Sequence, residues 1–189
     1  METFEDDIIK SIEAFKSHGI ILYPTDTIWG IGCRATDAIA IKKIYALKKR
    51  DGEKSMIILV ADASEICRYV SQPSKKLIDV IETSIQPVTG IFEQGINLPH
   101  TLINEDGTIA IRIVKDDFCI SLIRESGVPI VSTSANVSGK NYPHNFYDVS
   151  DEIKSGVDYI VQHRRDDLNT YNPSSIIKLN LAGEIQLIR

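Results

Sequence analysis

The sequence predicts one α/β domain, a twisted and partly antiparallel sheet with helices packed on it. Three observations carry that expectation. Segments with apolar residues three and four apart alternate with short runs that are apolar throughout or at every second position, the pattern of interleaved helices and strands. One run, Met56 to Ala61 (MIILVA), is apolar on both faces and belongs in the middle of a sheet covered on both sides. The chain has no internal repeat, low-complexity segment or evident linker, and its 189 residues fit one domain, so 1–189 reads as a single unit.

The elements follow in order. Residues 4–17 place Phe4, Ile8, Ile12 and Phe15 on one face, with Ile9 beside it, and Gly19 ends that helix. IILY, 20–23, is a strand. TDAIAIKKIYALKK, 36–49, returns to helical spacing, with Ile41, Ile44, Tyr45 and Leu47 on the buried side and Thr36 or Asp37 as cap. After the strand 56–61 come two shorter helices near 63–69 and 74–83, then strands over 87–93 and 108–114. Residues 116–126 form a helix ended by Gly127, and VPIVST, 128–133, is a strand that runs into Ser134. A short helix near 148–154 precedes strands at 159–162, 174–179 and 184–189, the last two joined by the turn NLAG.

Composition narrows the function classes. Hydrophobic residues at 43% and charged residues at 25% are the balance of a soluble globular protein, and no apolar stretch is long enough to span a bilayer. The start, METFEDDIIK, is acidic where a signal peptide is basic, so the expected location is the cytoplasm and no membrane partner is expected. Cys33, Cys67 and Cys119 are far apart and form no C-x-x-C pair, and His18, His100, His144 and His163 are scattered, so no disulfide framework or metal site is indicated. A net charge of −5 argues against a protein that binds nucleic acid chiefly by charge. Its basic residues do cluster once, between Lys42 and Lys54, where a solvated helix face is the plainer reading.

Four features at strand or helix ends could carry chemistry. YPTDTIWG offers the hydroxyls of Thr25 and Thr27 and, through Gly30 and Gly32, room for a ligand against the backbone; a local turn would use the same residues. Lys48, Arg50 and Lys54 follow the second helix, where cations suit the helix dipole but could also grip a phosphate or carboxylate. Arg112 lies between Ile111 and Ile113 in a strand pattern, a place more often filled by an exposed or snorkelling arginine. Finally, Ser132, Ser134 and Asn136 alternate at the end of a buried strand, where α/β sheets tend to bind ligands. There is no Walker A sequence, no G-x-G-x-x-G and no G-x-S-x-G.

Taken in order, YPTDTIWGIG, Lys48-x-Arg50, IRI, Ser134-x-Asn136 within STSAN, and PSSII resemble the YrdC family over nearly the whole chain. The resemblance implies a YrdC-like twisted mixed sheet with helices packed on it and a large concave cleft. It also implies synthesis of threonylcarbamoyl-adenylate and pyrophosphate from L-threonine, bicarbonate and ATP. A tRNA-modifying transferase would then take the threonylcarbamoyl group to the adenosine beside the anticodon. No protein nucleophile is needed, so no residue is assigned a covalent catalytic role, and the work is positioning and charge stabilisation. By resemblance, Thr27, Arg112, Ser134 and Ser174 would hold threonine. Lys48, Arg50, Lys54, Thr108, Ser132, Asn136 and Arg189 would hold ATP and the carbamate, with Mg2+ bridging phosphates and no protein metal ligands.

The chain departs from the family pattern at several places. Asp51 follows Arg50 where the family has proline, Ser55-Met56 replaces P-L, and Gln86 takes a glycine place in IQPVT. Leu59 stands where some members carry histidine, and Tyr142 where many have a small polar residue beside the nucleotide. KKRD is also similar to YciO-like paralogues, although Asn136 is kept. Two other functions therefore stand beside the synthase: an RNA-binding module, against which the acidic balance predicts only weak, salt-sensitive RNA affinity, and a YciO-like protein that binds or hydrolyses a nucleotide or acyl-adenylate.

Overall fold

The computed structural model describes residues 4–49 and 56–189. Among them, nine strands join into one mixed sheet: β1 (Ile21–Tyr23), β2 (Gly30–Gly32), β3 (Ile57–Val60), β4 (Val88–Phe92), β5 (Ile109–Ile113), β6 (Ile130–Ser134), β7 (Tyr159–Ile160), β8 (Ser175–Leu179) and β9 (Ile185–Leu187). Their spatial order is β7-β1-β2-β6-β3-β5-β4-β8-β9. β3 pairs parallel with β5 and antiparallel with β6, so the strand that is apolar on both faces is interior, as its sequence requires. Ile58, Leu59 and Val60 are fully buried.

Five α-helices accompany the sheet among the described residues: α1 (Glu5–Lys16), α2 (Ala38–Lys48), α3 (Lys75–Thr83), α4 (Asp117–Ser126) and α5 (Asp151–Gly156). Local chemistry sets their ends. Asp37 caps α2, its carboxylate accepting from the backbone N–H groups of Ile39 and Ala40. Asp116 does the same for α4 at Cys119, and Gly127 closes α4 with φ 71°. α1 buries Ile8 and Phe15 and leaves Ile9 exposed. Its Asp7 is buried too, and its carboxylate accepts from the Tyr159 hydroxyl and from the backbone N–H groups of Gln162 and His163, which ties α1 to the segment after β7.

The mixed α/β sheet matches the expectation, with three local differences. Residues 63–68 form the expected short helix, but of the 3-10 type, closed by the i+3 bond from Tyr69 N–H to the Ile66 carbonyl. The segment near 148–154 divides into a 3-10 turn, Phe146–Asp148, and α5. The third is β2, read from sequence only as a glycine-containing loop. It pairs antiparallel with both β1 and β6. Gly32 is required there: a Cβ would lie 2.4 Å from the Val131 carbonyl oxygen and 2.7 Å from the Tyr23 ring. The lack of bulk lets two strands and a buried tyrosine close on one another.

Candidate active site

The strand order brings distant motifs to one place. Gly30 of β2 is opposite Ser134 of β6, Ile57 of β3 is opposite Ser132, and Arg112 of β5 is opposite Leu59 of β3. Side chains alternate across a strand, so Ser132 and Ser134 reach the same face. There they line a cleft of about 200 Å3 with Thr27, Arg112, Ser174 and Arg189. Its apolar wall includes Met56, Ile57 and Ile176. Three of the four sequence features thus contribute to one cleft, and Lys48, from the fourth, is joined to its rim.

Arg112 is the deepest charge in the cleft. β5 is an interior strand, and the residue is only 3% exposed, not on an edge or snorkelling. Its Nη1 donates to Thr27 Oγ1 at 3.2 Å. Its Nη2 lies 3.1 Å from Asp26 Oδ1, an ion pair by distance. The alignment is poor for a hydrogen bond, and Nη2, Nε and Asp26 Oδ1 are all buried without one. Thr27 is fixed in turn: Thr25 Oγ1 lies 2.8 Å from Thr27 Oγ1, accepts from the Thr27 N–H and donates to the Ile28 carbonyl. The turn expected from the sequence and the floor of the cleft are therefore the same structure.

Lys48 and Asn136 shape the rim. The Lys48 side chain is 1% exposed, and its ammonium donates to the carbonyls of Ser134 and of Asn136, the latter at 2.6 Å. The Ser138 N–H donates back to the Lys48 carbonyl. Asn136 Nδ2 donates to the Val137 and Lys140 carbonyls, while its Oδ1 is buried without a hydrogen bond. Asn136 is not among the residues that line the cleft. Both side chains hold the backbone of the loop after β6.

Two neighbours were not singled out from sequence. Thr89, fully buried on β4, has its Oγ1 2.8 Å from Ser174 Oγ, and Arg189 donates to the Ser174 carbonyl. Asp26 lies between Thr25 and Thr27 and pairs with Arg112. Their motifs were in view, but the partners of Thr89 and Asp26 lie 85 and 86 positions away, at Ser174 and Arg112, and no local pattern indicates such a pairing.

Thr108 falls elsewhere. It borders a second groove, with its hydroxyl donating to Asp106 and accepting from Asn104, and it does not line the cleft with Arg112. The Thr108 N–H and hydroxyl hold the Asp106 carboxyl below its usual value, hydroxyl foremost. Arg50 and Lys54, with Asp51 and Ser55, lie outside the described residues. Of the other departures, Leu59 is in the core, Gln86 is exposed, and Tyr142 lines the cleft. No group of three or more His, Cys, Asp or Glu among the described residues could hold a metal ion. Likewise, no helix among them is long and apolar enough to cross a membrane.

The chain resembles known proteins along most of its length. Residues 13–189 match the profile of the Sua5_yciO_yrdC family, described as "Telomere recombination". A threonylcarbamoyl-AMP synthase of Pseudoalteromonas translucida is 27% identical over 96% of this chain and 97% of its own. One from Idiomarina loihiensis is 32% identical over 84% of this chain and 86% of its own. In three dimensions, P. abyssi Sua5 complexed with L-threonine superposes with a TM-score of 0.85 at 22% identity, covering 98% of this chain, which spans 54% of that longer protein. E. coli YciO gives 0.81 at 21% identity over 97% of this chain and 88% of its own. These last two similarities establish the fold, and the match over residues 13–189 places the chain in the Sua5, YciO and YrdC family.

Proposed function

We propose that this chain is an L-threonylcarbamoyladenylate synthase, an enzyme that makes threonylcarbamoyl-AMP and pyrophosphate from L-threonine, bicarbonate and ATP. Relatives named threonylcarbamoyl-AMP synthase align along nearly its whole length, and they speak for this activity rather than for an RNA-binding module. The observation that carries the reading is Arg112: a buried guanidinium at the floor of a cleft, with Nε and Nη2 lacking hydrogen bonds and the Thr27 hydroxyl beside it. A free amino acid brings a carboxylate suited to this guanidinium, whose ion pair with Asp26 leaves Nε and Nη2 without a well-aligned hydrogen bond.

In the proposed reaction the threonine amine adds to carbon dioxide drawn from bicarbonate, forming an N–C bond and losing its proton. A carbamate oxygen then attacks the α-phosphorus of ATP, and the bond to the β-phosphate oxygen breaks, releasing pyrophosphate. Arg112, Thr27, Ser134 and Ser174 hold the amino acid. Ser132 and Arg189 lie toward the nucleotide, and Arg50 and Lys54 supply positive charge for its phosphates. Lys48 and Asn136 serve by fixing the loop after Ser134. Mg2+ enters with ATP as the counter-ion of its phosphates, an arrangement typical of this ion, which is commonly held by substrate phosphates with few protein ligands. Handover to a tRNA-modifying transferase, weak RNA contact and a cytoplasmic setting complete the proposal.

The test is pyrophosphate release by the purified chain with Mg2+ and ATP, with threonine and bicarbonate each omitted in turn. Release that needs both supports the synthase. Release that ignores threonine would favour a nucleotide hydrolase, the role considered for YciO-like proteins.

A further inference from the structure

Tyr142 lines the same cleft and is 38% exposed, whereas Trp29, the other aromatic residue there, is 4% exposed and packs on Phe146 at 4.9 Å between ring centroids. Tyr142 is thus the more exposed of the two aromatic residues that line the cleft. It is not held by burial but by the loop beneath it. Lys48 fixes the carbonyls of Ser134 and Asn136, Asn136 fixes those of Val137 and Lys140, and the Ser138 N–H is bonded to the Lys48 carbonyl. On the far side, the Tyr142 ring meets His144 at 5.0 Å and 67°. His144 is anchored by its N–H to Asp148 Oδ2 and by a ring nitrogen 3.1 Å from the Tyr171 carbonyl oxygen.

At that angle the two rings are not stacked. Either the histidine edge covers one face of Tyr142, or the Tyr142 edge meets the histidine face. Tyr142 as a whole remains 38% exposed beside that contact, so His144 does not enclose it. A positioned and partly exposed aromatic face beside a polar floor is what a nucleobase needs, because stacking works for any base while the charged groups hold the phosphates.

We propose that Tyr142 is the base-stacking residue of this cleft, so that its ring contributes to binding the adenine of ATP and makes affinity depend on the base. The inference rests on the synthase reading above. It assigns the largest exposed ring of the site to the nucleoside and leaves threonine to Arg112 and Thr27.

The test uses the full chain and calorimetric titration with ATP, with inorganic tripolyphosphate, which lacks base and sugar, and with L-threonine. Tyr142→Ala should weaken ATP by about 5–50-fold, within the range found when a stacking aromatic is removed. Tripolyphosphate and threonine affinities should stay within twofold of wild type, and Tyr142→Phe should keep most of the ATP affinity because it keeps the ring. Thermal melting checks that the variants fold. An unchanged ATP affinity in Tyr142→Ala, or equal losses for ATP and tripolyphosphate, would overturn the stacking role while synthase activity in wild type stands. A wild-type chain that binds neither phosphate compound would overturn the synthase reading and this inference together.

Discussion

Arg112 and Asp26 face one another at 3.1 Å beneath the cleft, the arginine side chain 4% and the aspartate side chain 11% exposed. Neither charge is well hydrated, so each depends on the other. Asp26→Asn keeps the shape and leaves the guanidinium uncompensated. Breaking a buried pair from one side costs roughly 3–5 kcal/mol. Asp26 keeps some water contact, so the lower end is expected, a fall in melting temperature of about 6–12 °C at ~2–4 °C per kcal/mol for a chain of this size. Millimolar L-threonine should restore part of that loss, since its carboxylate can replace the missing anion. An unchanged melting temperature would show that the pair is not mutually dependent.

Thr89→Val tests the support behind Ser174. The substitution removes the hydroxyl 2.8 Å from Ser174 Oγ with little change in shape. Loss of one hydrogen bond is worth about 0.5–1.5 kcal/mol, so threonine affinity should fall by about 2–12-fold. ATP affinity should stay close to wild type. If threonine binds equally well, Ser174 does not need Thr89 to meet the substrate.

Lys48→Met removes the ammonium that joins the Ser134 and Asn136 carbonyls. Charge-assisted bonds are worth about 1.5–3 kcal/mol each, partly offset here because the buried charge disappears with them. The expected outcome is local: backbone amides of Ser138 and Lys140 should exchange with solvent at least tenfold faster, while amides of β5 keep their protection. Uniform exchange across both regions would mean that Lys48 does not act through the loop.

Asp37 gives a pH dependence. Burial, the largest single influence, pushes its carboxyl up, but the Ala40 N–H, His18 and the Ile39 N–H together hold it below the usual value. A carboxyl lowered in the folded state stabilises above its unfolded value near 3.9, and that stability is lost as pH falls through the lower folded value. At pH 7, Asp37→Ala should cost about 1 kcal/mol through loss of the helix cap. The gap between wild type and variant should narrow as pH falls below the unfolded value and close once pH is below the lower folded value. Urea titration at several pH values measures it, and a gap that persists at low pH would contradict the charged-cap explanation.

What the sequence made legible was local. α2 was readable because apolar spacing and a capping aspartate are written within a dozen residues, and β3 because an all-apolar run has one sensible place in a sheet. β2 was not readable, because Gly-Ile-Gly carries a single side chain and its strand character comes wholly from β1 and β6 on either side. The cleft divides the same way. Thr27, Ser132 and Ser134 sit in short motifs at strand ends. The burial of Arg112 follows from β5 lying between β3 and β4, a matter of strand order, and the motif resemblance singled it out where periodicity favoured an exposed position. Thr108 shows the converse: a residue carried by a motif was placed by its turn with Asp106 beside a different groove.

The central claim is that this cleft joins threonine, inorganic carbon and the adenylate of ATP. The most direct measurement is mass spectrometry of the product formed by the purified chain from ATP, Mg2+, L-threonine and 13C-bicarbonate. The expected result is threonylcarbamoyl-AMP one mass unit heavier than the unlabelled compound, absent when serine or no amino acid replaces threonine and lost in Arg112→Gln. AMP or ADP formed without a labelled, threonine-containing adenylate would contradict it.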